Sequence, residues 1–257
     1  MVRQKLKVFD RDMMKYIALG LMFVGHLISW LNLLRYTDDP MAFLRLPAWK
    51  LVLEETAVFC PPVMFFFIAD GYRYTRDRKK YALRLLLFAV ITQPFDWLLF
   101  YEMNGWRSFN VIFTLLLGLL AIMAWESRLK LWQRAGLALL CDAATVLLRS
   151  EWMVFGVLFI LTLHIFRERP KTRFLLYMIL VLASNIIESV PTARAFPALT
   201  VFLRTVTGIA AMVAAYLCMT VFYSGKKGKH PVFTKWFFYA FYPLHYLVIW
   251  VIFRLTA

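Results

Sequence analysis

An apolar run from Met13 to Leu34 is long enough to cross the hydrocarbon core of a bilayer, which takes about 20 residues of helix, and it carries a histidine, His26, near its middle. An ionisable side chain at that depth is costly and usually functional. Further runs of the same kind follow at Leu51–Asp70, Tyr81–Tyr101, Phe109–Trp125, Leu131–Leu148, Trp152–Phe166, Phe174–Val190, Pro197–Tyr223 and Val232–Phe253. With 62% apolar side chains over 257 residues, the chain reads as an all-α polytopic transmembrane helical bundle of about nine spans, with a range of roughly eight to ten. The short run Trp152–Phe166 sets that range. No repeat, Gly/Ser linker or low-complexity segment divides the chain, so residues 1–257 are expected to form a single transmembrane domain.

The net charge of +15 would suggest nucleic acid if the cations formed one face of a soluble fold. Instead they sit in short clusters between apolar runs, which is the pattern of cytoplasmic loops and argues against a nucleic-acid partner. An N-terminus on the cytoplasmic side puts Arg3, Lys5, Lys7, Arg11 and Lys15 inside, together with the Arg73–Arg84 cluster. Arg128, Lys130 and Arg134, then Arg167 to Arg173, then Lys226 to Lys235 fall on the same side. Few cations are left outside, Arg35, Arg45, Lys50, Arg107, Arg149, Arg194 and Arg254 among them, so the bias supports this orientation. The expected setting is therefore a membrane crossed many times, with the N-terminus on its cytoplasmic side and lipids as constant neighbours. The first run is too long for a secretory leader and is expected to stay as an anchor helix. Cys60, Cys141 and Cys218 lie within apolar runs with no paired or metal-like spacing and read as buried small hydrophobes.

Polar residues inside the runs are the candidates for chemistry. His26 and His245 each lie roughly 20 Å from the inner lip at 1.5 Å of rise per residue, so they share a level and could share a cavity. On the last run Tyr239, Tyr242, His245 and Tyr246 recur at three- and four-residue steps, which gathers hydroxyls and an imidazole on adjoining faces. A histidine at this depth either knits helices by hydrogen bonding or serves as a proton acceptor near neutral pH. Asp96 follows Gln93 and Pro94, and a proline there frees a carbonyl and bends the helix beside a carboxylate. Asp70, Asn110, Thr114, Glu54, Glu55 and Glu151 lie nearer the interfaces, where carboxylates reach water. Between Tyr72 and Arg84 lies the densest cationic cluster, with Arg73, Arg76, Arg78, Lys79, Lys80 and Arg84. It reads either as a loop held against anionic headgroups or as a site for a phosphorylated cofactor. There is no glycine-rich phosphate loop, no zinc-type spacing and no serine nucleophile motif, so no metal is expected.

Several blocks in order carry a resemblance. They are Asp12-Met-Met-Lys15-Tyr-Ile-Ala leading to His26, Phe65-Phe-Phe-Ile-Ala-Asp70-Gly71-Tyr72 with Thr75, Tyr81 and Arg84, and Gln93-Pro94-Phe95-Asp96. They continue as Phe109-Asn110-Val-Ile-Phe113-Thr114, Leu115-Leu-Leu-Gly118, Gly156-Val157-Leu158 and Phe238-Tyr239-Ala-Phe241-Tyr242-Pro243-Leu244-His245. Over nearly its whole length the chain resembles the TraX family of bacterial integral membrane proteins, named for the pilin N-acetylase of conjugative plasmids. Its opening pattern is also similar to the wider membrane acyltransferase class. Where the family often has Asp before the first histidine, this chain has Gly25.

The resemblance implies an acyl-CoA-dependent membrane acyltransferase, moving an acetyl or other acyl group to a peptide amine, pilin-like, or to another envelope acceptor. On that footing His26 would be the base or a transient acyl carrier, and His245 and Tyr242 would complete its pocket. Asp96 would orient or relay, while Asp70, Arg73, Arg76, Tyr81, Arg84 and Asn110 would lie on the side of the acyl-CoA cosubstrate. Two readings of other classes stand beside it: a secondary transporter, for which no inverted repeat is visible, and a non-catalytic membrane assembly factor.

Overall fold

The computed structural model describes residues 6–35, 47–102, 108–195 and 197–256. The cations Arg3, Lys5, Arg35, Arg45, Arg107 and Arg194 lie outside the structure described at side-chain level. Each expected apolar run is helical. In chain order the helices are α1 (Arg11–Arg35), α2 (Ala48–Glu55), α3 (Cys60–Tyr74), α4 (Arg78–Glu102), α5 (Val111–Trp125), α6 (Leu131–Leu147), α7 (Met153–Ile165), α8 (Pro170–Ala195), α9 (Ala198–Leu217) and α10 (Pro231–Thr256).

The helix ends follow from local chemistry. The Asp10 carboxylate accepts from the Met13 amide at 2.8 Å, the Asp77 carboxylate from the Lys80 amide at 2.9 Å, and the Asn110 side chain from the Ile112 amide at 3.1 Å. Each satisfies an amide that the first helical turn leaves without a partner. Pro170 and Pro231 stand at the first positions of α8 and α10, where the missing N–H costs nothing. At the start of α3, Pro61 and Pro62 cannot donate to the carbonyls four residues back. The chain tightens there into a 3-10 turn over Thr56–Phe59, in which the Cys60 amide bonds the Ala57 carbonyl.

Among the described residues, six stretches are long and apolar enough to cross a membrane: Arg11–Leu31, Ala48–Tyr74, Arg78–Leu99, Pro170–Val190, Ala198–Phe222 and Val232–Thr256. The second of these is α2 and α3 taken together. Helices α5 and α7 are apolar but only 15 and 13 residues long, or roughly 22 and 20 Å at the usual rise. Leu83, Leu139, Leu140, Ile186, Ile187 and Phe233 face outward, a surface that water would reject and that lipid tails match. The protein is thus an all-α transmembrane bundle.

By packing, the chain divides into two compact units. The first comprises Met1–Val63, Glu102–Asn104 and Val181–Ala257, and the second Met64–Tyr101 and Gly105–Leu180. In the first, α1 packs on α2, on the Thr56–Phe59 turn and on α10, and α9 packs on α2 and the same turn. Met14, Ala18, Met212, Ala215 and Ile249 are sealed in its core. In the second, α5, α6 and α7 pack on one another around Leu119, Ile122, Phe159 and Ile160. A Cβ at Gly156 would stand 2.3 Å from the Thr114 methyl, so only glycine lets α7 approach α5 this closely.

Candidate functional site

In the first unit, backbone pairing joins the segment ahead of α1 to the segment ahead of α10. The Phe9 amide donates to the Phe222 carbonyl at 3.0 Å, the Ser224 amide to the Phe9 carbonyl at 2.8 Å, and the Arg11 amide to the Lys226 carbonyl at 3.0 Å. Just inside, the Thr234 hydroxyl donates to the buried Asp12 carboxylate at 2.9 Å, and the Tyr16 and Thr234 hydroxyls are 3.2 Å apart. These contacts fix how far α1 and α10 run past each other, and so which side chains meet farther along.

His26 and His245 meet. The His26 Nδ1 lies 3.4 Å from the His245 Nε2, with ring centroids 5.6 Å apart and planes 28° from parallel. His245 is buried, and its Nδ1 bonds the Tyr242 backbone carbonyl. A carbonyl only accepts, so that Nδ1 carries the proton and the neutral ring presents Nε2 as an acceptor. The partner nitrogen, His26 Nδ1, must then be the donor. In the neutral pair this leaves the lone pair of His26 on Nε2, where a base needs it. These proton positions are assigned from the hydrogen-bond pattern.

Aromatic rings hold the pair. Trp30, one turn beyond His26, stacks on it at 4.1 Å, and it also lies 5.0 Å from Tyr246. Phe241 is parallel to His245 within 5° at 5.8 Å. The hydroxyls of Tyr242 and Tyr246 are 3.2 Å apart. Pro243 within α10 removes one backbone bond beside this cluster. Gly25 has a steric reason: a Cβ there would stand 2.5 Å from the Ala57 Cβ and 2.7 Å from the Glu54 carbonyl oxygen. Any larger residue at position 25 requires α1 to withdraw from the α2–α3 turn.

The second unit holds the remaining candidates in two places. Gln93, Asp96 and Asn110 form a buried knot. The Gln93 amide group donates to the Asp96 carboxylate at 2.9 Å and to the Ser108 carbonyl at 2.9 Å. Asn110 donates from its backbone at 3.1 Å and from its side chain at 2.9 Å to the Gln93 side-chain oxygen Oε1, and from its side chain also to the Ala89 backbone carbonyl at 2.9 Å. Asn110 and Asp96 are both fully buried. This arrangement ties the start of α5 to α4 around Pro94, and Asn110 spends its side chain on it.

The second place is the turn from α3 to α4. Arg78 lies over Tyr72 at 4.1 Å, and Tyr72 meets His164 edge-on at 5.4 Å. His164 in turn lies 2.8 Å from the Glu126 carboxylate. Arg84 lies over Tyr81 at 5.7 Å, and its buried Nε has no hydrogen-bond partner among the described residues. Tyr81 packs over Gly71, its hydroxyl 3.1 Å from where a Cβ would be. Arg73 and Arg76 are exposed and Asp70 is half-buried. Next to this turn, the Lys80 amide and ammonium group hold the Asp77 carboxyl below the usual carboxylate range.

Of the residues singled out from sequence, the fold brings together His26, His245 and Tyr242 in the first unit. In the second it brings together Asp96 and Asn110, and separately Tyr81 and Arg84. Trp30 escaped the sequence reading, and the burial of Glu54 and Glu55 was not foreseen. Trp30 was signalled only by its place four residues after His26. Glu54 and Glu55, expected to reach water, are instead buried against Arg204, a cation inside an apolar run whose need for a partner was the available clue.

Comparison with known proteins gives one family, described as TraX protein, matching residues 10–253. Among curated proteins the chain is similar to a "Probable fimbrial assembly protein FimC, serogroup H1" of Dichelobacter nodosus, 31% identical over 250 residues, covering 92% of this chain and 93% of the relative. No solved structure matches.

Proposed function

The chain belongs to the TraX family, and from that premise we propose that it is a membrane-embedded acyltransferase whose base is His26. The observation that carries the reading is the imidazole pair, 3.4 Å apart, with the second ring anchored to a backbone carbonyl. That arrangement leaves a lone pair on the His26 Nε2 at a depth where lipid makes an idle imidazole costly.

Acyl-CoA supplies an acyl group activated as a thioester. Its phosphates suit the α3–α4 turn, where Arg73 and Arg76 are exposed and the Arg84 Nε is buried without a hydrogen-bond partner among the described residues; Asp70 and Tyr81 flank them. In the reaction the acceptor amine attacks the thioester carbonyl, a nitrogen–carbon bond forms and the carbon–sulfur bond breaks. The His26 Nε2 takes the proton the nitrogen loses, and the thiolate leaves. His245 stabilises the imidazolium by accepting from His26 Nδ1, and Tyr242 lines the pocket. A positioned base of this kind contributes about 10²–10⁴-fold. Asp96 and Asn110 support the cosubstrate side by holding α5 to α4.

The relative's name, a probable fimbrial assembly protein, supports an acceptor of the fibre-subunit class, a pilin-like peptide amine. On this reading the protein lies in the bacterial inner membrane with its N-terminus cytoplasmic, as the distribution of Lys and Arg supports. The test is transfer of labelled acetyl from acetyl-CoA to a peptide amine by the purified protein in lipid vesicles. His26→Ala is expected to abolish it, and Arg84→Ala to raise the KM for acetyl-CoA. Near-normal transfer by His26→Ala removes this residue from the mechanism.

A further inference from the structure

The second unit gathers cations at one end of its packed helices α5, α6 and α7. Arg128, Lys130 and Arg134 lie where the chain turns from α5 into α6, and Arg167, Arg169 and Lys171 where it turns from α7 into α8. The two turns meet. Arg134 donates from Nη1 to the Trp125 carbonyl at 3.1 Å, and the carboxylate of the next residue, Glu126, lies 2.8 Å from the His164 ring, one helical turn before Arg167. Nearby carboxylates are spent or far out: Glu126 is taken by His164, and Glu168, 3.7 Å from the Arg167 Nε, has a side chain 87% exposed. No acid stands in the first turn of α6 or α8. The cations therefore add to the positive ends of both helix dipoles, an arrangement that costs energy unless an anion answers it.

Two of these guanidinium groups do not simply reach into water. The Arg134 Nε and the Arg167 Nη1 are each buried with no hydrogen-bond partner among the described residues, whereas an arginine that only solvates a loop keeps its donors wet. A charged donor hidden from water without an acceptor is costly. Beside them the surface is apolar: Leu131 and Trp132, at the start of α6, keep 61% and 71% of their surface exposed, and Phe174 and Leu175 are exposed in the second turn of α8. Exposed tryptophan and a cluster of Lys and Arg belong together at one level of a bilayer, that of the headgroups.

We infer that these two turns form a binding site for an anionic phospholipid, its phosphate taken by Arg134 and Arg167 and its apolar part lying against Leu131 and Trp132. Phosphate oxygens accept paired bonds from a guanidinium, which gives the two buried donors the acceptors that the protein withholds. A soluble phosphate gains nothing from the apolar rim, and a zwitterionic headgroup brings an ammonium that the surrounding cations repel. The binding is independent of acyl transfer. The site adjoins the α3–α4 turn through the contact of Tyr72 with His164 at 5.4 Å, so a soluble acyl-CoA is the competitor to exclude.

The test is thermal unfolding of the full chain in nanodiscs of phosphatidylcholine, with and without added phosphatidylglycerol, read as the difference in melting temperature between the two. Phosphatidylglycerol is expected to raise it by about 2–4 °C. The double variant Arg134→Lys, Arg167→Lys keeps both charges but loses the forked donors, and should lose most of that rise. Arg128→Gln removes an exposed charge and should keep it. A variant that melts lower in both lipids still reports, because only the difference is read. No rise in the unmodified protein, or a rise that survives the double variant, overturns the inference. A loss in Arg128→Gln as large as in the double variant also overturns it, reducing the site to diffuse surface charge. Inorganic phosphate and acetyl-CoA, each added to the phosphatidylcholine discs, are expected to give no rise that depends on Arg134 and Arg167; if either does, the anion is a soluble one and the lipid assignment falls.

Discussion

The histidine pair and the Gln93–Asp96–Asn110 knot are both polar clusters within apolar helices, and they use their atoms differently. Asn110 spends its backbone amide, both ends of its side chain and its capping position on α4 and α5. His26 uses one ring nitrogen on His245 and keeps the other's lone pair. A cluster that consumes its own hydrogen-bonding capacity holds helices together; one that keeps capacity in reserve can act on something else. The first kind should respond to mutation in stability, the second in rate.

The largest effect is expected at the knot. Asn110→Ala removes the α5 cap and the bonds to Gln93 and Ala89, about 3 kcal/mol in all. Thermal unfolding in detergent measures it, and an unchanged melting temperature would mean the knot is not what joins these helices. Next is Gly25→Ala, in which the added methyl meets Ala57 and the Glu54 carbonyl at a cost of about 1–3 kcal/mol from overpacking. The same melts report it, and a neutral result would show that α1 and the α2–α3 turn yield easily.

His245→Gln should divide rate from stability. It keeps a hydrogen-bonding group near His26 but loses the ring that fixes the tautomer, so transfer should fall about tenfold or more, its pH profile should shift, and the melting temperature should hold. A fall in melting temperature matching that of Asn110→Ala would put the histidines in the same class as the knot. The smallest effect is at Asp77, outside the spans, where bonds from the Lys80 amide and ammonium group favour the charged carboxylate. Because its pKa is lowered on folding, its contribution is present above roughly pH 4, near the unfolded value, and is lost as pH falls through the folded value. The difference in melting temperature between the unmodified protein and Asp77→Ala should be small at neutral pH and vanish in acid.

Local chemistry made much of this legible in the sequence. Apolar run length located the helices, and Asp10, Asp77 and Asn110 lie where helix starts need them. Counting rise from the start of each run was enough to put His26 and His245 at one level, because both helices start from the same side. Other features depend on the register between helices, which no local pattern carries. Asn110 could be seen as polar, but not that Gln93, seventeen residues earlier, would absorb it. Glu55 and Arg204 were each visible as charges near or within apolar runs. Their meeting at 2.6 Å depends on how α9 lies on α2. The run Leu51–Asp70 gave no sign that the helix would be broken at Thr56–Phe59, although Pro61 and Pro62 supply the reason.

The pairing of the first helix with the last also has a consequence in time. His26 and His245 are 219 positions apart, and a ribosome adding about 5–20 residues per second takes on the order of 10 to 40 seconds to travel between them. Through that interval the first helix waits in the membrane with its imidazole unmatched, and for most of it the backbone at Phe9 lacks the Phe222–Ser224 segment it pairs with. The pair is completed only when the last helix enters, so a chain still being made, or one cut short, carries His26 but no assembled site.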